Sequence, residues 1–313
     1  MSYDMTLKGI RANRWWIYQK ERFPIIAHGL LIAAFSFSGM CLSALLRGSA
    51  TFPAFYPSLT AFLVALLFFL LLRIADEFKD AQADARYRPY RPVPRGLVSL
   101  RELGCIGATV MLLQLALTWL LDPWLVVILL GAWIYWVLMS KEFFIAGWLK
   151  KHHFTYLWTH MLIIAFIDLY VTACEWLTAG ASLPDSLTWF LLASLFNGVV
   201  IEVGRKIRAP ADEEPGVDTY SSVWGCSKAV LIWLSAMALT AVCAGMIAQR
   251  IQFFWPVVLL YSLFLCASIG IGWWFLRRPT GKLANQFERV SFFWTLSMYL
   301  SLGSIPMIAK LLE

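Results

Sequence analysis

LLRIADEFKDAQAD, residues 71–84, is the end of an apolar helix running out into charge. The stretch from about Tyr56 to Leu72 is greasy enough to form a membrane crossing, and it leads directly into Asp76, Asp80 and Asp84. Each i to i+4 step turns a helix by only about 40°. If the helix continues past the lipid, the three carboxylates line one stripe. So much negative charge at a membrane boundary is costly unless water, a cation or basic groups compensate it. The economical reading is a divalent-metal site for a polyanionic substrate such as a diphosphate. The bland alternative is a solvated helix end followed by a basic topology signal.

Composition places the rest of the chain in a bilayer. Of 313 residues, 60% are hydrophobic and 14% charged, with a mean hydropathy of +0.68, well outside soluble usage. The apolar segments lie too close together for two soluble domains. The expected fold is all-α, a single multi-pass membrane bundle over residues 1–313. Nine transmembrane helices are expected over 23–46, 56–74, 102–121, 123–140, 155–178, 187–204, 228–248, 254–275 and 288–309. The third and fourth of these read as a tight hairpin. The first is too long for a signal peptide and lacks a small-residue cleavage site, so it reads as a retained helix.

Charge sets the orientation. Counted over alternate sides of the nine spans, Lys and Arg divide 23 against 3, which accounts for all 26. The positive-inside rule then puts the N-terminus, the Asp-rich loop and the 205–227 loop in the cytoplasm, and Glu313 on the opposite side. The expected location is a prokaryotic inner or cell membrane, in contact with membrane lipids. The net charge of +7 follows from these topology determinants and a local anion site, and no nucleic-acid-binding motif accompanies it. The six cysteines are scattered through apolar sequence without CxxC spacing and read as small buried hydrophobes.

Two polar loops carry the chemistry. In the first, Asp76, Glu77, Asp80 and Asp84 precede Arg86, Arg88, Arg91 and Arg95, with Pro89, Pro92 and Pro94 stiffening the chain. Acids can hold Mg²⁺ while guanidiniums clasp phosphate oxygens through charge-assisted forks. In the second, NGVVIEVGRKIRAPADEEPGVDTYSSVWG, a helix continued to Pro210 would put Glu202, Arg205, Lys206 and Ala209 on one face, with Arg208 close by. Asn197 lies deeper and could orient a ligand or simply join two helices. Glu213 and Glu214 read as solvated loop surface. Asp168, mid-span in IIAFIDLYV, must face a cavity or pair internally; it could accept a proton, end a carbocation cascade, or act as a polar helix clamp. His28 and His160 read as hydrogen-bonded bundle histidines, and His152 and His153 as an exposed-loop pair. Together the loops suit a polyanion with a greasy tail. Transfer, cyclisation, hydrolysis and transport all remain compatible with them.

The layout resembles the UbiA superfamily of intramembrane prenyltransferases, which includes aromatic and ether-lipid prenyltransferases and membrane terpene cyclases. The resemblance covers essentially the whole chain. It is carried by Arg22-Phe23-Pro24 before the first span, by Asp76, Asp80 and Asp84 at steps of four, by Arg91-Pro92-Val93-Pro94-Arg95-Gly96, and by Ser140-Lys141. The second acidic motif departs from it. Many relatives have an Asp-x-x-x-Asp-like pair there, whereas this chain has Glu202-Val203-Gly204-Arg205-Lys206.

The resemblance implies Mg²⁺-dependent transfer of an isoprenoid group from a prenyl diphosphate to an aromatic or lipid acceptor, with Mn²⁺ able to serve as the metal. Asp76, Asp80, Asp84 and Glu202 would hold the metal. Arg88, Arg91, Arg205, Lys206 and Arg208 would face the phosphates, with Lys141 and Asn197 as further ligand-side groups. Asp168 would take a catalytic role. A terpene cyclase, which needs no acceptor, is the second reading. Oligomeric state is not encoded in these motifs.

Overall fold

Helices account for most of the described residues because apolar segments in lipid must satisfy their backbone groups internally. The computed structural model describes residues 14–214 and 216–313; Lys8 and Arg11, counted above toward the charge bias, lie outside the described residues. After a helical segment over 14–22, Pro24 precedes α1 (Ile25–Leu46), and Ala54 in an extended conformation precedes α2 (Phe55–Lys79). A short α3 (Ala81–Tyr87) follows α2. Ser99 opens α4 (Leu100–Leu121) through a capping box with Glu102. The chain then forms α5 (Leu125–Ser140), α6 (Ala146–Leu149), α7 (His153–Trp176), α8 (Leu187–Gly204), α9 (Tyr220–Trp224), α10 (Cys226–Arg250), α11 (Phe254–Arg277), α12 (Gly281–Leu302) and α13 (Ser304–Leu312).

Among the described residues, eight segments are long and apolar enough to cross a membrane: α1, α2, α4, α7, α8, α10, α11, and α12 with α13 as a single 32-residue segment. The expected fourth span, α5, has 16 residues, which at 1.5 Å per residue is about 24 Å, short of a hydrocarbon core of about 30 Å. It pairs with α4 through the expected hairpin, where the Asp122 carboxylate accepts from the Trp124 amide at 2.8 Å. The last span starts seven residues earlier than expected and breaks at Gly303. A β-carbon at Gly303 would lie 2.0 Å from the Ser38 carbonyl oxygen, so this break seats directly on α1.

Polar side chains link neighbouring helices at a few points of the apolar interior. Gln114 of α4 donates to the Val64 carbonyl of α2 at 2.9 Å and accepts from Trp133 of α5 at 3.1 Å. Thr118 and Tyr170 join α4 to α7 at 2.7 Å. At the end remote from the Asp-rich loop, Glu175 pairs with Arg47 and accepts from Ser43 at 2.7 Å, so this acid is structural.

The α8 helix stops at Gly204, not at Pro210, and this corrects the single-face expectation for Glu202 through Ala209. Pro210 holds Ala209 extended (φ −73°, ψ 148°). The Lys206 carbonyl instead accepts from the Tyr220 amide at 3.2 Å, and the Arg208 amide donates to Ser221 Oγ at 2.7 Å. Ala209 is buried rather than facing a ligand. Gly204 itself is where α8, α10 and α12 meet: Trp233 Nε1 donates to Ser291 Oγ at 2.9 Å, and Ser291 Oγ to the Val200 carbonyl at 3.1 Å. A β-carbon there would lie 2.1 Å from Ser291 Oγ. Gly204→Ala is therefore expected to cost roughly 1–3 kcal/mol by overpacking. Thermal unfolding of the detergent-solubilised protein checks it, with Gly131→Ala, which meets nothing within 4 Å, as the unaffected control.

Candidate active site at the polar end of the bundle

The first acidic run survives a bend in its helix. Although α2 ends at Lys79, the Asp80 amide donates to the Asp76 carbonyl at 2.9 Å and the Asp84 amide to the Asp80 carbonyl at 2.8 Å. The helical register, and with it the stripe, continues across the junction. The three carboxylates nevertheless differ in environment. Asp76 is exposed and has only a loose 3.4 Å contact with Arg73, one turn away on its own helix. Asp80 is half-buried and has no ion-pair partner among the described residues. Asp84 is buried, holding Arg91 at 2.6 Å and Arg88 at 3.2 Å.

The second loop meets the first. Tyr87 lies against Gly216, where a β-carbon would stand 2.5 Å from its ring. Asp76 and Arg205 are near enough to feel each other's charge. Glu202 is clasped by both following cations: Arg205 Nε donates at 2.7 Å and Lys206 Nζ lies at 2.8 Å. The Glu202 carboxylate holds the Arg205 guanidinium further above its already high range, so Arg205 stays charged at any working pH. Lys206 also lies 5.5 Å over the Tyr220 ring, whose phenol burial pushes far up and keeps neutral. Arg208 is half-buried beside the capping turn of α9, with no ion pair among the described residues. Glu213 accepts from Thr219 Oγ1 at 2.7 Å, so it shapes this turn rather than standing free as surface.

A third group at the same end was not anticipated. Lys79 sits over Tyr156 of α7, lies 3.2 Å from Glu142 and contacts His160 Nε2 at 3.3 Å, while Tyr156 and His160 stack at 3.8 Å. Lys141, expected on the phosphate side, is exposed; its neighbour Glu142 is the residue turned inward. Arg22 pairs with the buried Glu77. The signals were present in the quoted run, since Glu77 and Lys79 alternate with the aspartates and point to neighbouring helices. Which neighbours they would meet is not a local property. His153 is the first residue of α7, and His152 stacks on Trp148 at 4.0 Å.

Deeper in the bundle, Asn197 accepts from Thr295 Oγ1 at 3.1 Å, the interhelical link that was its bland alternative. Asp168 is fully buried and accepts from Ser194 and, at 3.0 Å, from Tyr299, which ties α7, α8 and α12 together. Among the described residues, no three His, Cys, Asp or Glu side chains gather closely enough to hold a metal by themselves.

Comparison with known proteins agrees with this architecture. The chain is similar in fold to a UbiA homologue from Aeropyrum pernix K1, with a TM-score of 0.66 at 13% identity, covering 91% of this chain and 98% of that one. It is similar to a structure of digeranylgeranylglyceryl phosphate synthase, with a TM-score of 0.61 at 15% identity, covering 93% and 100%. A UbiA homologue from Archaeoglobus fulgidus, bound to DMAPP and Mg²⁺, gives a TM-score of 0.51 at 14% identity, covering 88% and 98%. No curated protein sequence matches. The profile of the UbiA prenyltransferase family matches residues 34–297, from the middle of α1 to α12, and the chain therefore belongs to that family.

Proposed function

We propose that this enzyme transfers an isoprenoid group from a prenyl diphosphate to an aromatic or lipid acceptor and releases diphosphate, with Mg²⁺ as cofactor. One observation carries the reading. Two loops remote in sequence bring the open carboxylates of Asp76 and Asp80 to the same end of an apolar bundle as Arg205 and Lys206.

The donor set suits a hard divalent cation. Mg²⁺ needs only one or two protein carboxylates when substrate phosphates and water complete its shell. Asp76 and Asp80 are free to serve, whereas Asp84 and Glu202 would first have to leave their own cations. Metal bound there would neutralise charge on the diphosphate. Arg205 and Lys206 would take its oxygens from the other side, with Arg88, Arg91 and Arg208 supplying further positive field. Charge grows on the leaving group as the allylic C–O bond weakens, so fixed cations favour the transition state over the ground state. The acceptor then attacks the allylic carbon. The A. fulgidus homologue binds DMAPP and Mg²⁺, the same two ligand classes.

For topology we favour nine crossings, with α5 as a short ninth. Glu142, just past its C-terminal end, lies beside Lys79, whereas Asp122 at its start belongs to the opposite end. The polar end would then face the cytoplasm, as the basic bias requires.

Asp76→Asn and Asp80→Asn should each lower turnover on the order of 100-fold in an intact bundle, and EDTA should abolish it; full activity in all three conditions removes the metal role. Asp84→Asn is a poorer probe, because unpairing two partly buried arginines costs about 3–5 kcal/mol of fold stability by itself. Arg205→Gln and Lys206→Gln should each weaken inhibition by inorganic diphosphate roughly tenfold or more; unaltered affinity would return them to a topology signal. A cysteine at exposed Ser182 should label from outside intact cells and one at exposed Ala211 only after permeabilisation. Incubating the protein and Mg²⁺ with geranyl, farnesyl and geranylgeranyl diphosphates, without and then with an acceptor panel, settles reaction class. Product formed without acceptor would replace transfer by cyclisation.

A further inference from the structure

Arg73 stands on the same face of α2 as the two open carboxylates. Arg73, Asp76 and Asp80 occupy i, i+3 and i+7, and seven residues return a helix to within about 20° of its starting direction. The run ahead of it, residues 65–72, is wholly apolar. A guanidinium so close to hydrocarbon is costly unless an anion meets it, and its partner is the clue to its use.

The anion it has is a weak match. Arg73 Nη1 lies 3.4 Å from Asp76 Oδ2, a loose contact within one helix, and the Asp76 side chain is 54% exposed. An exposed pair of this kind holds little energy. The guanidinium has no further hydrogen bond among the described residues. The charges around it are committed elsewhere: Glu77 is buried against Arg22, and Lys79 meets Glu142 at 3.2 Å. Arg22 and Arg205 are both near enough to Arg73 to feel its charge, and each has a carboxylate within hydrogen-bond reach, Glu77 for Arg22 and Glu202 for Arg205. Of these three guanidiniums, which repel one another, Arg73 is the one held most loosely.

Asp76 has a second claimant. It is one of the two acids proposed above to hold Mg²⁺, and a carboxylate turned to a divalent cation compensates a neighbouring guanidinium far less. Arg73 is then a fork of N–H donors short of a counter-ion, beside the metal. Diphosphate oxygens match that fork and carry the missing charge.

We infer that Arg73 is a diphosphate-binding residue that exchanges its counter-ion: Asp76 holds it in the free enzyme, and the diphosphate takes it over when Asp76 turns to Mg²⁺. The inference rests on the metal and diphosphate site proposed above. It makes Arg73 and Mg²⁺ competitors for Asp76 and partners on the diphosphate, which is then gripped from α2 as well as from the second loop.

The test titrates the full-length, detergent-solubilised protein with Mg²⁺ alone, and with inorganic diphosphate at saturating Mg²⁺. Arg73→Gln should tighten the first about two- to fivefold, the reach of an exposed ion pair, and weaken the second about tenfold. Arg73→Lys keeps the charge and loses the fork, so it should return Mg²⁺ affinity to that of the unaltered protein but recover diphosphate affinity only in part. A second arm leaves Arg73 in place. In EDTA, Asp76→Asn should bind inorganic diphosphate about two- to fivefold tighter than the unaltered protein does, because Arg73 no longer has a carboxylate to leave. Both affinities weakened by Arg73→Gln would mark a structural residue and overturn the inference. So would either affinity unchanged, full recovery of diphosphate binding by Arg73→Lys, or no gain in Asp76→Asn. Failure of the unaltered protein to bind inorganic diphosphate with Mg²⁺ would instead remove the site proposed above, and this role of Arg73 with it.

Discussion

Asp84 reaches back into the loop that follows its own helix and takes Arg91 at 2.6 Å and Arg88 at 3.2 Å. The carboxylate is buried and both guanidiniums largely so, which gives this contact the strength of an interior ion pair rather than that of a surface one. Its consequence is geometric. The arginine- and proline-rich segment is folded over the end of α2 instead of trailing into solvent, and Tyr87 is placed against Gly216 of the second loop. The fold-back keeps Arg88 and Arg91 at the end of the bundle where the two loops meet.

Once Asp84 is occupied, negative and positive charge at the mouth separate by loop. The first loop is left with Asp76 and Asp80 as its open acids. In the second, Glu202 is already held by two cations, and the stretch from Glu202 to Arg208 sets Arg205, Lys206 and Arg208 against that single acid. A diphosphate bridges such halves naturally, with metal on one side and fixed guanidinium and ammonium on the other. The Lys79, Glu142, Tyr156 and His160 group is balanced within itself and ties α2 to α7, so it frames the mouth without adding charge to it.

The interior follows a different economy. Polar side chains are few there, and Gln114, Thr118, Asn197 and Asp168 are among those that join helices. In hydrocarbon each such bond is worth only about 0.6 kcal/mol on average, but an unpaired group costs far more. These links therefore decide which helices face each other more than they add stability. Asp168 shows the point: one oxygen of this mid-membrane acid accepts from Ser194 and Tyr299 and so joins α7, α8 and α12.

Much of this was legible in the chain itself. Hydropathy marks every long helix because a bilayer admits no other backbone, and the i to i+4 spacing of Asp76, Asp80 and Asp84 persists because the backbone bonds cross the bend. The departure of Glu202-Val203-Gly204-Arg205-Lys206 from an acidic pair was equally visible in the letters. The folded chain alone decided that Asp84 turns to arginines while Asp76 and Asp80 stay open, that Glu142 rather than Lys141 faces inward, and that α8 ends at Gly204. Each of these depends on a partner tens of residues away, or on a loop that folds back, and local periodicity holds no record of either. A helix registers its own period and its contact with lipid; which charge it meets at its end is set by the neighbours that packing brings there.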